Sequence, residues 1–193
     1  GNQFLSHIRQ VDAIAHVVRC FADDNVVHVD GSPDPTRDIV VIQTELILSD
    51  LEQVERKLER LRKQAKGNRE AAAAIPVFEK MLAYLGDGKL ARSGDWSAEE
   101  LVTFAELSLI TSKPSLYIAN VSEEGLSEAS EFEVALRELA ARERVEVIPI
   151  CAQVESELAE MEEEEARAFM EEMGIRHSGT VQLARSGYQL LNQ

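Results

Sequence analysis

The chain has 193 residues, 45% of them apolar and 28% charged, with a formal net charge of −15. That supports one substantial core, or a core with a satellite subdomain. A surface this acidic repels phosphate backbones, so direct DNA binding is not expected, while a small anionic ligand gripped by backbone amides stays compatible.

No apolar run approaches the length needed to span a bilayer and no signal-peptide pattern opens the chain, so no membrane partner is expected and the cytoplasm is the expected compartment. Cys20 and Cys151 both end strand-like apolar runs and read as reduced, buried thiols rather than a disulfide. The chain opens at Gly1, within a helical pattern carried by Phe4, Leu5 and Ile8.

In chain order, the first strand signal is residues 13–18, Ala-Ile-Ala-His-Val-Val. A long helical stretch follows. In it Ile47, Leu51, Val54, Leu58 and Leu61 recur at alternating spacings of four and three, a heptad seam flanked by Glu, Arg and Lys through residues 52–63. Lys66-Gly67-Asn68 breaks that helix, and Ile75, Phe78, Leu82 and Leu85 form the apolar face of a second. A short polar turn between two such helices predicts an antiparallel hairpin. Gly86, Gly88 and Gly94 mark the returning loop. Ser97-Ala-Glu-Glu100 supplies a capping box for a further helix through Leu101, Phe104 and Leu107.

The next strands are predicted over residues 116–119 and 145–150, with an amphipathic helix from Glu131 to Arg142 between them on Phe132, Ala135, Leu136 and Leu139. Strand, helix, strand is a βαβ unit with a right-handed crossover, and short apolar runs bounded by polar turns suit a covered parallel sheet. Pro149 removes a ladder donor, which marks its strand as an edge or as ending there. After Cys151 the chain is acidic and helical: Glu160 to Glu165 reads as a solvated helix face, ahead of Phe169, Met170 and Met173, with Gly174 as C-cap. The fold class expected is α/β, a mainly parallel sheet with a helical insertion.

Ligands in open α/β sheets sit beyond the carboxyl ends of parallel strands. One such end carries Asn120-Val121-Ser122-Glu123. Guanine-nucleotide-binding proteins place Asn-Lys-x-Asp at this position, where the aspartate accepts the paired N1 and N2 protons of guanine. Adenine offers no such pair. The Asn120 amide both donates and accepts, matching the adenine N6 amino group and N7. Glu123 can accept from that amino group, and Val121 replaces the lysine stem with an apolar wall. The quartet fits adenine better than guanine, while a polar loop leading into the next helix accounts for the same letters. The following strand ends at Cys151-Ala152-Gln153, the spacing of the Ser-Ala-Lys-like loop whose backbone amides touch the far edge of the base. Cys151 and Ala152 suffice there, because the contact needs N–H groups and a small side chain.

Several longer segments resemble one family in order along nearly the whole chain: residues 1–9, Ala13 to Phe21, Asn25 to Val29, Asp34 to Asp38, Thr44 to Glu52, Lys113-Pro114, Tyr117 to Val121 and Arg185 to Tyr188. They resemble the YchF (Obg-like ATPase) family of translation-factor-related P-loop NTPases. The resemblance implies a Rossmann-like nucleotide-binding domain interrupted by an antiparallel coiled-coil hairpin, here divided as 1–34, an inserted helical domain 35–110, and 111–193. It implies ATP as preferred nucleotide through an Asn-x-x-Glu motif matched by Asn120 and Glu123, with Val121 offering its backbone to the adenine. It implies Mg2+ as cofactor and the ribosome, or its large subunit, as partner. No GxxxxGK[ST] occurs in these residues. The P-loop, the switches, the magnesium ligands and the C-terminal TGS domain are therefore expected outside this chain, which alone should hydrolyse nothing.

His7, His16, His28 and His177 lie at no ligand spacing, so no metal site is expected from them. Arg56, Lys57, Arg60, Arg62 and Lys63 make a basic stripe interleaved with glutamates. A different class stays open: a non-catalytic interaction module whose hairpin binds a protein or ribosomal partner.

Overall fold

The computed structural model describes residues 2–22 and 32–192. The segment from Asn25 to Val29, with His28, lies outside the described residues. The chain forms two compact units. One, helical, comprises Gly1–Asp12 and Val40–Pro114; the other, built on the sheet, comprises Ala13–Ile39 and Ser115–Gln193. The N-terminal residues Gly1–Asp12, grouped with the nucleotide-binding domain on sequence, fall in the helical unit.

In the helical unit a short helix, α1 (Asn2–Ile8), precedes the long α2 (Pro35–Gln64), whose first residues through Ile39 belong to the sheet unit. At 30 residues α2 is about 45 Å long. Its heptad seam is buried as the spacing predicts: Ile47, Val54, Leu58 and Leu61 are core residues, with Leu51 packed beside them. The helix α3 (Arg69–Gly86) starts where Asn68 accepts from the Glu70 and Ala71 amides. The buried face of α3 is Ala71, Phe78, Met81 and Leu85, with Ile75 and Leu82 half-buried at its margin. The expected face, drawn through Ile75 and Leu82, is thus rotated toward Met81. A small alanine takes the first position of the seam, where pattern reading looks for a large side chain. Pro76 lies inside α3 and deprives the Ala72 carbonyl of its i+4 donor. The helix α4 (Ala98–Ala105) carries the expected capping box: Ser97 accepts from the Glu100 amide, and Glu100 accepts from the Ser97 amide at 2.8 Å.

One buried charge organises this unit. Asp50 is fully buried on α2 and accepts from the Ile110 amide, the Thr111 amide and the Thr111 hydroxyl at 2.9, 2.8 and 2.7 Å. Arg9 stands 3.5 Å from it. Burial pushes the Asp50 carboxyl above the usual carboxylate range, against the pull of those donors and of Arg9.

Among the described residues the sheet unit has three parallel strands in the order β1 (Ile14–Arg19), β2 (Ser115–Asn120) and β3 (Glu146–Ile150). Arg19 pairs with Asn120, and Asn120 with Ile150, so the carboxyl ends of all three strands are level. Central β2 buries Leu116, Tyr117, Ile118 and Ala119; β1 exposes alternate residues, including Val17. Pro149 sits in β3, an edge among the described strands, as its missing donor requires.

α5 (Glu131–Glu143) is the crossover between β2 and β3, burying Leu136 and Ala140. Glu133 on the same helix is also buried, and Arg137 pairs with it at 2.7 Å. After β3 come α6 (Ala152–Glu160), α7 (Glu163–Glu172) and α8 (Gly179–Leu191). Gly174 ends α7 at φ +71°, with Ile175 donating back to Met170, so the expected C-cap forms. The acidic first turn of α7 has no buried residue, as a solvated face should. Leu183 and Leu190 of α8 pack on Leu116, Ile118 and Ile148. The other sheet face carries the larger core, with Val18, Tyr117, Leu136 and Val154. No described helix is long and apolar enough to cross a membrane.

Candidate functional site: the carboxyl ends of the strands

The strand ends are laced together by main-chain and capping bonds. The Cys20 amide donates to the Asn120 carbonyl at 2.8 Å, and the Val121 amide donates to the Ile150 carbonyl at 2.9 Å. The Ser130 hydroxyl donates to the Cys20 carbonyl and accepts from the Glu133 amide, tying the start of α5 to the end of β1. These bonds fix where the loop after β2 and the loop after β3 leave the sheet.

The loop after β2 is compact. The Gly125 amide donates to the Ser122 hydroxyl, and the Leu126 amide to the Glu123 carbonyl, in a single 3-10 turn over Glu124–Leu126. A Cβ on Gly125 would lie 2.9 Å from the Val121 Cβ, so the chain returns over Val121 only because residue 125 has no side chain. The Glu123 carboxylate makes no capping bond to this turn and is exposed.

Val121 corrects the expectation of an apolar wall. Its side chain is only 2% exposed and packs in the core with Cys20, Cys151 and Val154. A valine at a strand end is drawn inward by the hydrophobic effect, where a lysine's stem would run outward. Its amide is committed to Ile150, so the backbone group it can offer is the carbonyl.

The loop after β3 is simpler. Cys151 is buried at the N-cap of α6 and makes no side-chain capping bond; Ala152 is exposed. The first amides of α6 therefore lack the acceptor that Ser97, Ser130 and Ser178 give to α4, α5 and α8. Glu155, one turn along α6, accepts from the Gly179 amide at 2.5 Å and from the Thr180 hydroxyl at 2.9 Å. A Cβ on Gly179 would fall 2.8 Å from Ile150 and 2.9 Å from Glu155, so glycine is needed for this close approach of α8 to the end of β3.

Glu123 and Gln153 face one open cavity of about 700 Å3, whose wall also includes Glu124, Leu126 and Met173. Asn120 is half-exposed at the end of β2 and does not line that cavity. The five residues singled out on sequence thus divide: Glu123, Ala152 and Asn120 are accessible to solvent, while Val121 and Cys151 are buried behind them. Two carboxylates at the mouth accept hydrogen bonds and repel phosphate, which suits the base end of a nucleotide. Gln153 was within reach of sequence reading as the neighbour of Ala152. Met173, at the end of α7, was not, because nothing local links it to residues 120–123.

Cys20, buried beside Glu133, has its thiol pushed up to about 12, chiefly by burial and secondarily by that carboxylate. Such a thiol is inert. Among the described residues no group of three or more His, Cys, Asp or Glu is placed to hold a metal ion.

Searched as a whole, the chain matches no family model. It is 47% identical over 193 residues to the ribosome-binding ATPase YchF of Escherichia coli O157:H7, covering 100% of this chain and 53% of that protein. It is 48% identical over 194 residues to the ribosome-binding ATPase YchF of Bacillus subtilis (strain 168), covering 99% of this chain and 53% of the relative. Among solved structures, the YchF GTPase of Schizosaccharomyces pombe superposes with a TM-score of 0.91 at 34% identity, covering 100% of this chain and 53% of that one. The chain spans about half the length of the curated relatives it matches. The α/β sheet with its helical insertion is the architecture of that solved structure over the shared half. Over its whole length, the chain belongs to the YchF family.

Proposed function

We propose that this chain supplies the base-reading end of an ATP-hydrolysing, ribosome-associated P-loop enzyme, with Asn120 and Glu123 selecting adenine. The observation that carries this reading is the bond from the Val121 amide to the Ile150 carbonyl, because it holds the Asn120–Glu123 loop and the uncapped start of α6 side by side at one end of the sheet. In this reading the Asn120 amide pairs with the adenine amino group and N7, Glu123 accepts the second hydrogen of that amino group, and the Val121 backbone lies beside the base. The amides of Ala152 and Gln153 face the ring's far edge. Glu123 and Gln153 bound the cavity beyond the base.

ATP with Mg2+ is the cofactor set, and the cytoplasm is the compartment where ribosome association would take place. The residues here fit a base. In this reading the phosphate and metal ligands come from the half of the relatives' length that this chain does not span. Inserted residues 35–110 would form the domain set between the two parts of the nucleotide-binding domain, and their hairpin is the surface for a ribosomal partner.

The test is nucleotide titration of the full-length protein in magnesium, with Glu123→Asp as variant. ATP should bind more tightly than GTP, and the variant should shift the ratio toward GTP by about tenfold, the scale of one hydrogen-bonding pair. Equal affinities in the wild type and an unmoved ratio in the variant would remove these residues from base selection and leave the interaction-module reading. Introducing lysine at 121 is a poor companion test, since it would load a charge onto a core position.

A further inference from the structure

A second cavity, of about 490 Å3, lies within the helical unit where the loop following α3 meets α4. Its walls are Met81, Trp96, Leu101, Phe104 and Leu109, and its volume falls in the range of small-molecule sites. Trp96 and Phe104 meet edge to face, with centroids 5.1 Å apart, and form one corner. The indole is fixed before any ligand arrives. Its Nε1–H donates to the Ala91 carbonyl at 2.7 Å, the Tyr84 ring packs against it, and the Lys80 ammonium lies over its ring. A Cβ on Gly94 would come within 2.3 Å of the same indole, so the glycine lets the ring lie flat on the backbone.

The mouth is polar and shaped at a conformational cost. Ser108, at the rim, has φ 48°, the left-handed region that a glycine adopts without strain. Serine at that position places a hydroxyl at the opening, and Ser112 lines it nearby. Arg92 and Asp95, of opposite sign, also border the cavity. They give the mouth no net charge to select an ion, and a chain with net charge −15 would repel an anion from a distance.

We propose that this cavity is a binding site for a small neutral aromatic molecule, seated in the corner of Trp96 and Phe104 with its hydrogen-bonding group at Ser108 and Ser112. The site lies wholly in the helical unit and is independent of the base-reading proposal.

The chain has one tryptophan, so Trp96 emission reads this cavity alone. Titration of the intact chain with the neutral probe N-phenyl-1-naphthylamine should show a single saturable site, with Trp96 emission quenched by transfer to the bound probe. Ala105 lines the cavity and is exposed, so Ala105→Phe should fill it and weaken binding about tenfold with an unchanged melting temperature. If that variant melts early, Leu101→Asp, at a half-exposed wall position, should weaken binding by a similar factor. Ser108→Gly should weaken binding while leaving the melting temperature unchanged or raised, which a merely structural serine would not do. Non-saturable uptake, probe binding without Trp96 quenching, or affinity untouched by both wall variants would overturn the proposal.

Discussion

The helical unit and the sheet unit reach stability by different routes. The helical unit closes on itself: one continuous core runs from Ile47 through Phe78 to Leu109, and its one fully buried carboxylate, Asp50, is satisfied within the unit. The sheet unit divides its apolar contacts between two faces of three strands, and one strand, β1, leaves Val17 60% exposed. A helix satisfies its own backbone internally, so an inserted hairpin needs only a seam. A strand depends on neighbours, so a sheet is as complete as its edges.

The largest effect expected from that contrast comes from the seam. Phe78→Ala removes a fully buried ring in edge contact with Phe104 and should cost about 4 kcal/mol. Hydrogen exchange should then speed up across 40–114 and not in β2. Equal acceleration in β2 would mean that the two units unfold as one. Asp50→Asn should follow, at about 3 kcal/mol, because the new amide would point N–H groups at the Thr111 donors and leave Arg9 without its counter-charge. Chemical denaturation of the single variant, with Asp50→Glu as the size control, reads this directly.

On the sheet side, Gly179→Ala should cost about 2 kcal/mol, since its Cβ meets Ile150 and Glu155 too closely. It should loosen the α6–α8 tie without touching the helical unit. The smallest effect is electrostatic. His16 on β1 has its pKa lowered, chiefly by burial and against the opposing pull of Asp38 and Glu143, with the Tyr117 ring edge-on beside it. Its folded pKa lies below its unfolded value. The stability it contributes is therefore present above the ordinary imidazole range and lost as pH falls through the folded pKa. Denaturation between pH 7.5 and pH 5.5, roughly spanning that range, should show a steeper loss in wild type than in His16→Gln.

Most of the architecture was legible because its signals are local. Ile47, Leu51, Val54, Leu58 and Leu61 announce a buried seam by spacing alone, and Ser97 with Glu100 announces a helix start. Pro149 announces an edge or a strand end because a missing donor breaks an interior ladder. What stayed hidden depends on distance or on size. Asp50 sits one residue before Leu51 and looks like any polar helix position; its partners Ile110 and Thr111 lie sixty residues on. Ala71 and Met81 complete the α3 seam, but an alanine gives little sign of being inside. In the candidate site, Asn120 and Glu123 were visible as a strand-end motif. The inward turn of Val121 was not, since the core that draws it in is built by Cys20, Cys151 and Val154, from other parts of the chain. The wall contributed by Met173 was equally out of reach.

Pro149 has one more consequence. The Ile150 carbonyl points toward the loop after β2, and backbone groups alternate sides along a strand, so the ring nitrogen of Pro149 faces away from β2. The outer side of β3 thus lacks a donor near its carboxyl end, and a newcomer strand pairing there would find the ladder broken. Nothing comparable interrupts the described residues of β1. The outer side of β3 is therefore a poor template for a further strand.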